Sequence, residues 1–353
     1  MGGAGLLLLA ILAAGAVRAG NEAGTNLRAL YAKPPAQWPA AWTEQAADFR
    51  ELGPVEPLPR ADARQAALGR RLFFDPKLSA SGKVSCASCH NPDFGWTDRR
   101  TLPMGAALSS RNTPSLLGIG RWSRLGWDGA GPSLRDQTRR PMLAQDEMGN
   151  ADLDTVAARL RDDPGLHDLA ASASQGAPLD GERLLDALTA FQATIDEPSR
   201  FDRFARGDAD SLTDQEIEGL HLFRTKAGCA NCHHGPSLTD GRFHNLGLSA
   251  FGEPREDLGR YYVTGRPEDA GAFRTPSLRH VSRTGPYMHS GLFASLAGVV
   301  NFYARGGGDI WSRTHRSERN ALRAVASRKA ALLRPLALSR REKSALIAFL
   351  GAL

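Results

Sequence analysis

All four cysteines of the chain fall into two copies of one pattern. Residues 86–90 read CASCH and residues 229–233 read CANCH, so each copy is Cys-x-x-Cys-His. Paired thiols at that spacing, with an imidazole directly after them, are what covalent c-type haem attachment requires. Cys86, Cys89, Cys229 and Cys232 would add to the vinyl groups, and His90 and His233 would each give an axial nitrogen to an iron. Two disulfides, or one four-cysteine zinc site, would use the same sulfurs but leave a histidine after both pairs without a purpose. The pattern therefore predicts two haem c groups.

The surroundings of the motifs repeat. LGRRLFFDPKLSASGKVSCASCH and EGLHLFRTKAGCANCHHG share a Gly-x-x-Leu-Phe lead-in. Downstream, Thr113 and Thr275, Trp127 and His289, and Leu134 and Leu296 are each 162 residues apart, whereas the haem motifs are 143 apart. The extra residues of the second half fall in 249–272, a polar, Gly/Pro-rich stretch. Such a repeat predicts a mostly α fold of two tandem cytochrome c-like haem domains related by duplication. The expected division is 20–197 and 198–353, with the boundary in the polar stretch 196–211 after the helix-like GERLLDALTAFQATI. Thr213 with Glu216, and Ser339 with Glu342, read as capping boxes that open helices, the second one amphipathic. Strand signals are sparse.

The repeat also compares what covers each iron. Tyr303 minus the 162-residue offset is Pro141. Proline has no donor atom, so the first haem would be open where the second is capped by a phenol oxygen. No histidine lies between His90 and His167, although Met104, Met142 and Met148 remain as alternatives for the first iron. Met288, His244, His289 and His234 compete with Tyr303 for the second. An open haem in an exported protein points to hydrogen peroxide, whose cleavage needs a group that moves a proton from the inner to the outer oxygen. Asp136, Gln137, Gln145, Asp146 and Glu147 are all candidates, and composition does not choose among them.

Residues 5–16 are an apolar run too short to span a membrane, followed by small residues suited to cleavage after Ala19. This reads as a signal peptide over 1–19. An uncleaved anchor is the alternative, and both readings put the remainder outside the cytoplasm, with no membrane span left after cleavage. The 44 basic and 38 acidic residues are dispersed, which argues against nucleic-acid binding and suits docking to an acidic protein.

From about residue 60 to its end the chain resembles the bacterial dihaem cytochrome c peroxidases, more closely their MauG-like branch. The resemblance rests on the lead-in and first haem motif, on WDG at 127–129, EMG at 147–149, TPSLR at 275–279 and GPYMHSG at 285–291. It implies a periplasmic enzyme in which Trp127 lies between the haems and carries electrons. It also implies that Gln137 and Glu147 form the distal peroxide pocket. A calcium ion between the domains would take the Asn112 side chain and carbonyls near Thr275 and Pro276. Most of these peroxidases cap the second haem with Met and block the first with a reversible His. Tyr303 stands at the Met position here and the blocking His is missing, as in MauG-like proteins. Those use peroxide to form high-valent haem and then oxidise Trp or Tyr residues of a partner protein. Ala227 stands where the quinone-maturing member has an electron-relaying Trp, so a copper-binding partner fits at least as well. Two other functions stay open: a peroxidase fed by a small electron-donor cytochrome, and a non-catalytic dihaem electron carrier.

Overall fold

The computed structural model describes residues 26–44, 48–309 and 322–353. The apolar leader and its cleavage position lie outside them. Among the described residues, no helix is long and apolar enough to cross a membrane.

Two helix pairs organise the chain. Helix Ala63–Phe73 opens on Asp62, whose carboxylate accepts from the Arg64 and Gln65 N–H groups, and it packs on helix Gly181–Gln192. In the second half, helix Asp214–Arg224 packs on helix Arg340–Leu350. Both of these open with the expected capping boxes, Thr213 with Glu216 and Ser339 with Glu342. The glycine of each Gly-x-x-Leu-Phe sits at the crossing. A Cβ on Gly69 would fall 1.8 Å from the Ala187 carbonyl oxygen, and one on Gly219 would fall 2.0 Å from that of Ala345. Backbone thus meets backbone, which only glycine allows. The following Leu72, Phe73, Leu222 and Phe223 bury beside each crossing. One apolar core gathers Leu68, Phe73, Met142, Leu184 and Phe191, and the other Leu220, Phe223, Val300 and Phe349.

The boundary is less simple than polarity suggested. Residues Arg200–Ala205 of the expected polar stretch form a helix that buries Phe201 and Phe204 in the second core. An N-terminal arm crosses the division as well. Tyr31, Trp38 and Leu52, all numbered with the first domain, pack into the second core. Arg224, fully buried, pairs there with Glu51 and donates to the Tyr31 hydroxyl at 2.8 Å.

Two further helices occupy matching places. Leu134–Leu143, capped by Ser133, contains Pro141; Leu296–Ala304, capped by Ser295, contains Tyr303. The strand content among the described residues is one antiparallel pair, Phe243–Asn245 with Ala272–Arg274, in which His244 faces Phe273. The stretch 249–272 builds a small core of its own from Phe251, Leu258, Ala270 and Ala326. It also reaches the first half: the Arg111 guanidinium grips the Asp257 carboxylate with two hydrogen bonds, of 2.6 and 2.8 Å.

Gly219→Ala should lower the free energy of unfolding. Overpacking of about 1–3 kcal/mol, near its upper end because the struck atom is backbone, outweighs the roughly 1 kcal/mol that alanine gains in helix propensity. Chemical denaturation followed by far-ultraviolet circular dichroism measures the net loss.

Candidate active site

A cavity of about 1250 Å³ lies between the two halves. The residues expected to attach, ligate or surround the groups all border it: Cys86, Cys89, His90, Asn112, Trp127, Gln137, Glu147, Cys229, Cys232, His233 and Tyr303. Single-ligand pockets run to roughly 300–1,000 Å³, so this one has room for two groups, and it carries one Cys-x-x-Cys-His for each.

The motifs are built alike. His90 N–H donates to the Cys86 carbonyl and His233 N–H to that of Cys229, both at 2.9 Å. Each imidazole then bonds a carbonyl through Nδ1, His90 to Trp96 at 3.0 Å and His233 to Leu238 at 3.1 Å. That bond places the proton on Nδ1, leaves the Nε2 lone pair free for a metal, and fixes the ring. The two residues that offer the carbonyls are strained: Trp96 and Leu238 have φ of 62° and 53°, a left-handed conformation costing roughly 1–2 kcal/mol outside glycine. Burial lowers both imidazole pKa values, that of His233 to about 4, so both rings are neutral as ligation needs. The four cysteines form no disulfide. Burial pushes the Cys86 and Cys229 thiols up to about 12 and Cys89 to about 11. Cys86, Cys89 and Cys229 are thus neutral thiols, and all four sulfurs border a large cavity outside any disulfide, the arrangement haem c attachment requires.

Around the first motif, helix Leu134–Leu143 brings Gln137 and Pro141, one turn apart, to the cavity. The Gln137 Oε1 is buried without a partner, which costs about 1–3 kcal/mol and marks a group awaiting a ligand. Gly131 leaves it that space, since a Cβ there would stand 2.5 Å from Oε1. Glu147 follows on the turn after this helix, where Ala106 and Ala107 donate to the Glu147 and Asp146 carbonyls at 2.7 and 2.9 Å. Burial first, and the neighbouring Asp146 charge second, raise the Glu147 pKa against a smaller opposing effect of Arg140. Asp146 also borders the cavity. Asp136 instead accepts from the Ser133 hydroxyl at 2.5 Å on the surface, and Gln145 is exposed. Of the three methionine alternatives only Met148 borders the cavity; Met104 is exposed and Met142 lies in the core.

At the second motif the Tyr303 phenol is drawn into a low-dielectric wall, and burial raises its pKa above the ordinary value. Such a phenol stays protonated unless a cation comes within bonding reach. Its competitors are engaged elsewhere or merely nearby. His244 Nε2 bonds Asp240 at 2.7 Å. His289 stacks on Phe273 with centroids 3.6 Å apart. His234 packs on Phe49 and is off the cavity. Met288 borders it.

Trp127 borders the cavity, its ring edge-on to His289 at 6.5 Å. Its Nε1–H donates to the Asn112 carbonyl at 2.8 Å. Three arginines that sequence reasoning did not single out clasp its loop. The Arg274 N–H donates to the Trp127 carbonyl at 2.8 Å and its Nε to Gly126 at 3.1 Å. Arg260 donates to the Asp128 and Gly129 carbonyls, and Arg111 to the Asp128 carboxylate at 2.5 Å. The Asn112 amide donates to the Arg100 and Thr101 carbonyls, which leaves Oδ1 free of hydrogen bonds. The Thr275 carbonyl is already shared by Thr239 and Arg274.

Residues 63–210 match the family described as di-haem cytochrome c peroxidase. The chain is 35% identical over 354 residues to the cytochrome-c peroxidase IdrP1 of Pseudomonas sp. (strain SCT), covering 89% of each protein. It is 38% identical over 306 residues to the methylamine utilization protein MauG of Methylorubrum extorquens, covering 84% of this chain and 81% of MauG. The crystal structure of a MauG-like protein associated with microbial copper homeostasis superposes with a TM-score of 0.73 at 33% identity. That match covers 89% of this chain and 95% of the other.

Gly105→Ala tests the placement of Glu147. The added Cβ would lie 2.6 Å from the Glu147 carbonyl oxygen and 2.7 Å from that of Asp146, so the turn must move. Reaction with peroxide should slow by on the order of tenfold or more with haem content unchanged, as stopped-flow spectroscopy would show.

Proposed function

The chain belongs to the di-haem cytochrome c peroxidase family and is a peroxide-utilising oxidoreductase, and from that premise we propose a periplasmic, MauG-like enzyme. It uses hydrogen peroxide to oxidise Trp or Tyr residues of a partner protein. The observation that carries this reading is the pair Pro141 and Tyr303, on helices in matching places, each bordering the cavity near its own haem motif. We read the halves as two haem domains related by duplication, supported by the paired glycine crossings and the paired Nδ1–carbonyl bonds.

Haem c bound at each motif would supply the redox chemistry that breaks the peroxide O–O bond and holds the oxidising equivalents. The protein's part is then assigned residue by residue. Cys86, Cys89, Cys229 and Cys232 would hold the groups through thioethers, and His90 and His233 would offer Nε2 to the irons. Pro141 leaves one face open to peroxide. The Glu147 carboxylate takes the proton from the inner peroxide oxygen and returns it to the outer, while the Gln137 amide orients the molecule. Tyr303 would offer its phenol oxygen to a haem iron held at the second motif, where an anionic oxygen ligand would lower the potential. Trp127, held edge-on to His289, couples the two centres. The balance is one hydrogen peroxide reduced to two waters by two electrons and two protons, both drawn from oxidation of the partner's residues. Calcium would take the free Asn112 Oδ1 and backbone carbonyls near Thr275 and Pro276, an all-oxygen donor set suited to that ion, although the Thr275 carbonyl itself is already engaged by Thr239 and Arg274.

Similarity to IdrP1 over nearly the whole chain favours a second reading, a peroxidase fed by a small donor cytochrome. Steady-state turnover with a reduced c-type cytochrome separates the two. The MauG-like reading expects it to be slow, and expects Tyr303→Met to speed it by about tenfold or more by raising the second potential. Rapid turnover by the unaltered enzyme would favour the peroxidase.

Glu147 sets the pH dependence. The group must start ionised to take a proton, and its pKa is raised. The rate of the peroxide reaction should therefore climb as pH rises through a value above the ordinary carboxylate range. Glu147→Gln should abolish that limb and slow the reaction by about 10²–10⁴-fold.

A further inference from the structure

The two residues whose carbonyls hold the motif imidazoles are each followed, two positions on, by an aspartate: Trp96 by Asp98 and Leu238 by Asp240. Both carboxylates sit in the same kind of turn. Asp98 Oδ1 accepts from the Arg100 N–H at 3.1 Å, and Asp240 Oδ1 from the Arg242 N–H at 2.9 Å. The second oxygen differs. Asp98 Oδ2 is buried without a hydrogen-bond partner among the described residues, and the residue four places on is Leu102. Asp240 Oδ2 instead accepts from His244 Nε2 at 2.7 Å, with the carboxylate only 4% and the imidazole 17% exposed. One carboxylate stands alone beside its motif, and its counterpart carries an imidazole.

That pair is fixed from several sides. The Asp240 N–H donates to the Cys232 carbonyl at 2.7 Å, which ties the carboxylate to the second attachment segment. His244 stands on the strand Phe243–Asn245 opposite Phe273 and borders the cavity. Donor atoms of Cys232, Asp240 and His244 lie within 4.8 Å of one another. Cys232 is the sulfur assigned to attachment above, so the trio is a charge pair against a haem-attaching sulfur rather than a metal site. A buried carboxylate in hydrogen-bond contact favours the imidazolium. Burial acts to lower the His244 pKa, but the Asp240 bond and the Cys232 sulfur outweigh it and lift it to about 10. Burial acts to raise the Asp240 pKa, and His244 outweighs it, holding the carboxyl at about 2. The Asp240 bond is the contribution that survives when the sulfur becomes a thioether.

We propose that His244 is the counter-charge of the second haem site: its imidazolium cancels the buried Asp240 carboxylate and keeps the second haem more easily reduced than it would otherwise be. The inference rests on the reading above of haem c at residues 229–233, capped by Tyr303. There the phenol oxygen already supplies one anion. A second anion, uncancelled at Asp240 in a low-dielectric wall, would disfavour the added electron further. The first site has Pro141 in place of Tyr303 and no anionic ligand, and it is there that the aspartate stands uncancelled.

The test compares the full haem-loaded protein with His244→Gln and with the double variant His244→Gln/Asp240→Asn. Pyridine haemochrome absorbance counts haem c, and a spectroelectrochemical titration follows the reduction of each haem. His244→Gln leaves Asp240 uncancelled. It should shift the reduction equilibrium of the second haem about tenfold toward the oxidised form, or about 59 mV for one electron, while the first haem stays where it was. The double variant removes both charges and should restore the second potential. A merely structural role predicts the reverse, since two substitutions would disturb the site more than one. An unchanged second potential in His244→Gln, or a double variant no nearer the unaltered protein, would overturn the proposal. Should His244→Gln hold only one haem, the double variant decides: two haems at the unaltered potentials sustain the proposal, and one haem or a lowered potential overturns it. Fewer than two haems in the unaltered protein would overturn the haem reading itself.

Discussion

The structure depends on the clasp around Trp127. Residue 127 is in the first half, yet its carbonyl accepts from Arg274 of the second, and the flanking Gly126, Asp128 and Gly129 carbonyls take the Arg274 and Arg260 side chains. Arg111 ties the same loop to Asp257. These bonds join two halves that each fold on their own glycine-centred helix crossing, and they close one shared cavity between the two motifs. Burial lowers the Arg274 pKa to about 10, which leaves it charged at neutral pH with carbonyls as its partners. A cation held there, against the Trp127 backbone, fixes where that indole sits and the field around it.

The cavity's other property is its low dielectric. Burial keeps the two imidazoles unprotonated, the Cys86 and Cys229 thiols undissociated and the Tyr303 phenol neutral. Each is then in the state from which a haem group is taken up: lone pairs on Nε2, neutral thiols, and a phenol that only a metal cation would ionise. The same burial lifts the Glu147 carboxyl toward the working range of an acid–base group. One physical cause would therefore prepare the proposed ligand, attachment and proton-transfer groups together.

Much of this was legible in the sequence because it is local or repeated. Cys-x-x-Cys-His is a contiguous pattern, and the constant offset put Pro141 and Tyr303 in corresponding places before any coordinates. The glycine of each lead-in was visible, although its reason, a carbonyl from a helix more than a hundred residues away, was not. The clasp escaped because it is long-range. Asn112 and Arg274 are themselves 162 residues apart and both hold Trp127, but one does so by a carbonyl and the other by its backbone amide, with the guanidinium on Gly126. The strained Trp96 and Leu238 carbonyls carried no signal, since their residue types do not favour φ > 0. The N-terminal arm was assigned by its position in the chain, whereas apolar burial of Tyr31 and Trp38 placed it on the other half.

The central claim is an asymmetry: one iron open opposite His90, the other capped by Tyr303 opposite His233. An electron paramagnetic resonance spectrum of the fully oxidised, haem-loaded protein reads it directly. One high-spin and one low-spin signal in equal amounts, the low-spin one lost or altered in Tyr303→Phe, is the predicted result. Two low-spin signals would mean that a protein ligand also closes the first haem, and would contradict the account.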